Sequence, residues 1–162
     1  MSWHVSLLWI SLYTLAYDVE EFRYFMYNLI LTTMIAVATY IIWPNEQQLR
    51  PDLATLGRDN LLTRLCGLIY TVDTNTNVCP SLHCIGGFAV AFCAVSCPRF
   101  NRPGWKVVFY ALALLICAST VFMKQHSIVD FFAAIPVILI GWFAVYCRPW
   151  KKAFASKNTV SA

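Results

Sequence analysis

The stretch STVFMKQHSIVD, residues 119–130, interrupts the most apolar part of the chain. The surrounding run 107–146 is about 40 residues long, which is too long for one membrane crossing and suits two. Its hydropathy falls only over the four residues that begin at Lys124, so we expect a helical hairpin that turns there. Lys124, His126 and Asp130 need an explanation, because ionisable side chains inside such a run are costly and commonly functional.

Composition places the chain in the membrane. Hydrophobic residues make up 59% and charged residues 12% of its 162 positions, against roughly 25% charged residues in soluble domains. The mean hydropathy is +0.60. We therefore expect an integral membrane protein that forms a single domain over residues 1–162. The net charge of +4 is not gathered into a large basic cluster, so nucleic acid is not an expected partner.

Five apolar segments are predicted to be membrane helices. They are residues 1–17, 24–42, 81–97 and the two halves of 107–146. The first is read as a short or incomplete crossing. Trp43-Pro44 ends the second, because proline removes a backbone donor and disfavours helix just before it. The predicted fold class is an all-α, polytopic membrane bundle of about five segments.

A polar segment, residues 45–80, separates the second and third crossings and is the longest part outside the predicted membrane helices. Within it, residues 53–70 show a helical pattern of leucines and are expected to lie along the membrane interface. Residues 71–80 are rich in threonine and asparagine and are expected to form a loop. Ser81 is then a cap or first-turn residue of the next helix.

The positive charges predict the orientation. Five crossings place the two termini on opposite sides, so the loop 98–106 shares a side with the C-terminal tail. Together these segments carry seven basic residues and no acidic ones: Arg99, Arg102, Lys106, Arg148, Lys151, Lys152 and Lys157. By the positive-inside rule that side is cytoplasmic. The polar segment and the hairpin turn are therefore expected on the outer, extracytoplasmic face of a cell membrane.

This arrangement brings polar residues from three parts of the chain to the outer face: Arg50, Ser81, His83, Ser119, Lys124, His126 and Asp130. The chemistry they suggest is attack on phosphorus. His126 is the predicted nucleophile, because a neutral imidazole is available near pH 7. Asp130, four residues further on, is expected to orient its ring. His83 is the predicted general acid and later the general base.

The remaining members of the set are predicted to hold the phosphoryl oxygens. Arg50 can bind two oxygens at once, and Lys124 adds a second positive charge. The hydroxyls of Ser81 and Ser119 are further donors, and the helix that starts at Ser81 adds backbone N–H groups. No metal or other cofactor is required.

Each residue also has an ordinary structural explanation. Asp130 can cap the last helix with Ser127, and Ser119 can hydrogen-bond a carbonyl one turn back. Lys124 can be a membrane anchor. Arg50 can be a solvated loop charge and His83 a polar residue at a helix end. These explanations do not account for the placement of all of them on one face, and that coincidence favours a site.

At these residues the sequence resembles the type 2 phosphatidic acid phosphatase superfamily, the membrane relatives of the vanadium-dependent haloperoxidases. Its three motifs correspond here to Trp43 with Arg50-Pro51, to Pro80-Ser81-Leu82-His83, and to Ser119-Thr120 followed by His126 and Asp130. The run 49–130 also resembles a bacterial branch of the superfamily, with Asn-Val-Cys-Pro-Ser-Leu-His and Ser-Thr-Val-Phe followed by Lys-Gln-His.

The sequence departs from the family pattern at three positions. Trp43 stands in place of a lysine, Leu82 in place of a glycine and Thr120 in place of an arginine. Two phosphate-binding cations are therefore missing, and Lys124 is the candidate for partial compensation. Family members usually have six membrane helices, so the resemblance implies that the N-terminus is short.

The resemblance implies an enzyme that removes phosphate from a lipid, such as phosphatidic acid, phosphatidylglycerol phosphate or a polyprenyl pyrophosphate, through a phosphohistidine. Three alternatives remain open. The same site can transfer a phosphoryl head group to an alcohol. A metal-dependent hydrolase can use His83, His126 and Asp130 as zinc ligands. The third is a membrane lipid-binding protein without catalysis.

Overall fold

The computed structural model describes residues 2–57 and 60–147, and within them the chain is helical. The basic residues of the C-terminal tail, on which the predicted orientation partly depends, lie outside these ranges. Six α-helices follow one another: α1 Ser2–Tyr17, α2 Val19–Ile42, α3 Leu61–Val72, α4 Leu82–Ser96, α5 Pro103–Phe122 and α6 Ile128–Gly141. The predicted all-α fold class is confirmed.

Three of the described helices are long and apolar enough to cross a membrane: α2, α5, and α6 together with the π-helix Trp142–Tyr146 that continues it. α4 is apolar but shorter, with 15 residues. The number of five crossings stays a prediction, because α1 and α4 fall short of that length.

α2 begins earlier than its hydropathy indicates. The predicted start is residue 24, but the helix starts at Val19. Asp18 is its N-cap, and its carboxylate accepts the backbone N–H of Glu21 at 3.1 Å. Acidic residues suit the first turn of a helix because they face its positive end. The charged residues therefore start the helix instead of preceding it.

α4 is the central helix and packs against α1, α2, α5 and α6. Most of its residues are buried, and many are small, including Gly86, Gly87, Ala89 and Ala91. Small side chains let neighbouring backbones approach closely, which is how helices pack in membranes. The first turn of α4, which carries His83, is consequently enclosed by its neighbours.

The α5–α6 hairpin turns where the hydropathy falls. α5 ends at Phe122, and the carbonyl of Thr120 accepts the N–H groups of Gln125 at 2.9 Å and His126 at 3.2 Å. Lys124 adopts the left-handed conformation, with φ of +55°. The turn therefore forms without glycine or proline at the expected place.

The polar segment is organised by backbone pairing and by α3. Glu46 pairs with Thr76 in an isolated β-bridge, and the side chain of Asn45 accepts the N–H groups of Val78 and Cys79. The predicted interfacial helix over 53–70 is divided in the structure into a 3₁₀ turn, Leu53–Leu56, and α3. The leucines of α3 are exposed at positions 61, 62, 65 and 68, as an interfacial helix requires.

Candidate active site

The two predicted catalytic histidines are in direct contact. Nδ1 of His83, in the first turn of α4, lies 2.9 Å from Nε2 of His126, in the hairpin turn. Their ring centroids are 5.1 Å apart with an interplanar angle of 69°. Packing of α4 against α5 and α6 thus brings together residues that are 43 positions apart in the sequence.

Asp130 is positioned beside the other nitrogen of His126. Its Oδ2 lies 3.5 Å from His126 Nδ1, a charge contact that is longer than a formed hydrogen bond. The same oxygen accepts the backbone N–H of Ser127 at 2.7 Å, and the Ser127 hydroxyl accepts the N–H of Asp130. The same carboxylate therefore caps α6 and lies beside His126, and its role in orienting the ring stays a prediction.

Burial favours the neutral form of the His126 imidazole. The residue is 6% exposed, and loss of hydration lowers the pKa of its side chain below the usual 6.5. The negative charges of Asp130 and Asp73 act in the opposite direction but are outweighed. With a proton on Nδ1, toward Asp130, the lone pair of Nε2 faces His83, which fits a nucleophile at that atom.

Ser81 holds the start of α4 in register with α6. It is fully buried, and its backbone N–H donates to the Asp130 carbonyl at 3.2 Å. Its hydroxyl caps α4 by accepting the N–H of Cys84 at 3.4 Å. From α2, the Tyr40 hydroxyl donates to the Pro80 carbonyl at 2.6 Å. These contacts fix the first turn of α4, and with it His83, against the hairpin.

Arg50 is engaged with the end of α3. Its guanidinium forms an ion pair with Asp73 at 3.1 Å and lies 4.9 Å from the centre of the Tyr70 ring. The Tyr70 hydroxyl in turn donates to the Met123 carbonyl in the hairpin turn at 2.8 Å. α3 and Arg50 are thereby tied to the segment that carries His126.

Ser119 and Lys124 are the two predicted residues that the structure does not bring to the histidine pair. The Ser119 side chain is on the exposed side of α5, and its hydroxyl donates to the Ile116 carbonyl at 2.8 Å. Lys124 is exposed in the turn. Their roles in phosphate binding stay predictions.

A cavity of about 140 Å³ adjoins the histidine pair and is lined by residues that sequence reasoning did not select. They are Trp3, His4, Ile69, Val72, Asp73 and Gln125, together with the predicted His83. The Trp3 ring packs against His83, with 4.8 Å between centroids. The signals were present but weak: Gln125 precedes His126, and His4 is the lone ionisable side chain of its apolar segment before Tyr13.

Within residues 2–57 and 60–147, no group of three or more His, Cys, Asp or Glu side chains is arranged to hold a metal ion. The described part of the chain therefore shows no set of ligands for the zinc-dependent hydrolase that the sequence left open. What the geometry offers is acid, base and nucleophilic chemistry by two imidazoles and a carboxylate.

An all-α bundle with membrane-length helices and two histidines in contact, His126 buried and His83 half-buried, defines the class of this protein as a helical membrane protein with a candidate active site. The sequence profile of the PAP2 superfamily matches residues 42–153. The chain therefore belongs to the PAP2 superfamily, whose members are phosphatases acting on phosphate esters, often those of lipids. No curated protein and no solved structure shows a significant match to the chain.

Proposed function

We propose that the protein is a metal-independent membrane phosphatase that hydrolyses a lipid phosphate or lipid pyrophosphate through a phosphohistidine. The observation that supports it most is the 2.9 Å contact between Nδ1 of His83 and Nε2 of His126, with Asp130 behind the second ring. A carboxylate thus lies beside one nitrogen of His126, and a second imidazole lies against the other.

The proposed reaction uses these three side chains. His126 Nε2 attacks the terminal phosphorus, and the bond from that phosphorus to the leaving oxygen breaks, an ester bond in a lipid phosphate and an anhydride bond in a lipid pyrophosphate. His83 gives the leaving oxygen a proton. Asp130 stabilises the positive charge that develops on His126. His83, now neutral, takes a proton from water, and the resulting hydroxide attacks the phosphohistidine. Inorganic phosphate leaves and both imidazoles return to their starting state.

The resting contact has to open for this chemistry. A phosphoryl group transferred in line lies between its nucleophile and the donor to its leaving group. Two nitrogens 2.9 Å apart leave no room for phosphorus between them. Substrate binding must therefore separate the rings, and the hydrogen bond between the histidines closes the site again after phosphate departs.

The proposed substrate is a lipid in the same membrane, with phosphatidic acid, phosphatidylglycerol phosphate and polyprenyl pyrophosphate as candidates. The site is proposed to face the extracytoplasmic side of a cell membrane that the chain crosses several times, with the C-terminus in the cytoplasm. The family match and the three membrane-length helices support a lipid substrate. Membership of a bacterial branch rests on the sequence resemblance alone.

The test is phosphate release by purified protein in detergent, with chelator present, from a panel of these lipids. We expect His126→Ala to abolish release and His83→Ala to reduce it by about 10²–10⁴-fold. Both variants should elute from gel filtration as the wild type does. Normal release by a folded His126→Ala variant would contradict the mechanism. Adding an alcohol acceptor separates hydrolysis from head-group transfer, because only transfer yields a new phospholipid.

A further inference from the structure

The donors of Arg50 are taken by the end of α3. Nη1 donates to the backbone carbonyls of Tyr70 at 3.1 Å and Asp73 at 2.5 Å. Nη2 donates to Asp73 Oδ2 at 3.1 Å and to the Thr74 carbonyl at 3.2 Å. A guanidinium has five N–H donors, and these contacts use the four on its terminal nitrogens. The fifth, on Nε, is buried and has no acceptor in the described part of the chain.

Asp73 connects this cluster to the histidine cavity. Its Oδ2 accepts from Arg50 and also from the Gln125 amide at 2.9 Å. Asp73, Gln125 and His83 line the same cavity of about 140 Å³. The ion pair is shielded, since 12% of the Arg50 side chain and 28% of that of Asp73 are exposed. A negatively charged oxygen therefore already lies between a guanidinium and an amide, on a residue that lines the same cavity as His83.

A phosphoryl oxygen of a substrate needs the same partners. Guanidinium groups bind carboxylates and phosphates through the same paired N–H donors. From this overlap we propose that Asp73 is a specificity-determining residue, an internal anion that occupies Arg50 and must be displaced before a phosphoryl group can bind there. The inference rests on the proposed function, because it assigns Arg50 to the phosphate of that reaction.

The presence of Asp73 lowers the affinity of the site for phosphate in two ways. The carboxylate holds one Nη2 donor of Arg50 and the Gln125 amide, which the phosphoryl group needs, and its charge repels a second anion nearby. The effect is larger for a dianion than for a singly charged phosphate ester. Weak binding of free phosphate favours turnover, because inorganic phosphate is the product and has to leave.

The test measures binding of inorganic phosphate to the purified full-length protein in detergent by isothermal titration calorimetry. Asp73→Asn keeps the shape of the side chain and removes its charge, so it should bind phosphate about tenfold more tightly than the wild type. Asp73→Ser, a second variant that still offers Gln125 an acceptor, should change in the same direction. Adding Arg50→Gln to Asp73→Asn should remove the gain, because the gain depends on the guanidinium.

Glu46→Gln is the matched control, because it removes an exposed carboxylate from the same polar segment. Its phosphate affinity should equal that of the wild type. Unchanged or weaker binding by both Asp73 variants would overturn the proposal and show that Asp73 holds Arg50 in place for the ligand. Calorimetry needs no turnover, so this outcome is independent of whether any lipid in the panel is hydrolysed.

Discussion

One carboxylate oxygen of Asp130 accepts the backbone N–H of Ser127 and also lies beside the His126 ring. Substitution can separate its effect on helix capping from its proposed effect on His126. Asp130→Asn keeps an oxygen that can accept the Ser127 N–H but removes the charge 3.5 Å from His126. We expect the rate of phosphate release to fall by about 10²–10⁴-fold, because the imidazolium that forms loses its counter-charge. Thermal unfolding in detergent should stay close to that of the wild type.

Ser127→Ala is the complementary change. It removes the hydroxyl that caps α6 while leaving the Asp130 charge beside His126. Loss of an N-cap costs about 1 kcal/mol of unfolding free energy, so stability should fall while most of the activity remains. If Asp130→Asn lowered stability and left activity intact, Asp130 would be a cap and nothing more.

The pH dependence of activity follows from the burial of His126. Burial lowers the pKa of this imidazole below the usual 6.5, and only the neutral form is a nucleophile. Activity should therefore persist as the pH falls through 6.5 and decline only near the lower pKa of the folded protein. The measurement is kcat/KM between about pH 4 and 8.

The carboxylates near His126 allow a second test of this pH dependence. Asp130 and Asp73 stabilise the imidazolium of His126 and so oppose the effect of burial. Removing the charge in Asp130→Asn should move the acid limb of the residual activity to still lower pH. A limb that moved to higher pH would mean that the titrating group is not His126.

Among single residues, contacts between side chains could be predicted where their separation along the chain determines their distance in space. Asp130 follows His126 by one helical turn, so their proximity could be predicted. The contact between His83 and His126 was expected only as a shared face, because the packing of two distant helices determines the distance. The engagement of Arg50 by Asp73 could not be predicted, since it depends on where α3 ends.

Among the elements, α2 and α6 pack closely at Gly141. A Cβ atom there would lie 2.5 Å from Thr32 Cγ2 and would overlap the Asn28 side chain. Gly141→Ala should therefore push the helices apart and cost about 1–3 kcal/mol of stability, read as a lower unfolding temperature in detergent. Gly104→Ala is the control, because a Cβ there meets nothing within 4 Å.

A Gly141→Ala variant as stable as the Gly104→Ala control would show that the two helices can separate freely.

The positions of the helices could be predicted from the sequence better than their exact ends. Hydropathy located the helices and the hairpin turn, but it placed the start of α2 too late because the first turn of that helix is charged. It also merged α3 with a 3₁₀ turn, since a leucine pattern does not show where a helix breaks.

For the whole molecule, the predicted orientation can be tested with single cysteines. In a background with Cys66, Cys79 and Cys147 changed to serine, Asn75→Cys reports on the polar segment and Asn101→Cys on the α4–α5 loop, both exposed positions. A membrane-impermeant maleimide on intact cells should label Asn75→Cys and should label Asn101→Cys only after permeabilisation. The reverse pattern would place the histidine site on the cytoplasmic side.

The fold class of the whole molecule was predictable because membrane helices are encoded by simple apolar length. The central place of α4 was not, since its neighbours are chosen by the fit of small side chains rather than by hydropathy. The position of Trp3 and His4 in the cavity beside His83 could not be predicted either. Such contacts depend on packing between segments far apart in the chain.

The contact between the two histidines also limits what an affinity measurement reports. If the open arrangement makes up about one part in a hundred of the protein at rest, every ligand that needs it binds about a hundredfold more weakly than its contacts alone would allow. A tight inhibitor could then be obtained without any new contact, by a change that keeps the rings of His83 and His126 apart. Conversely, compounds ranked by affinity would be ranked partly by how well they open the site.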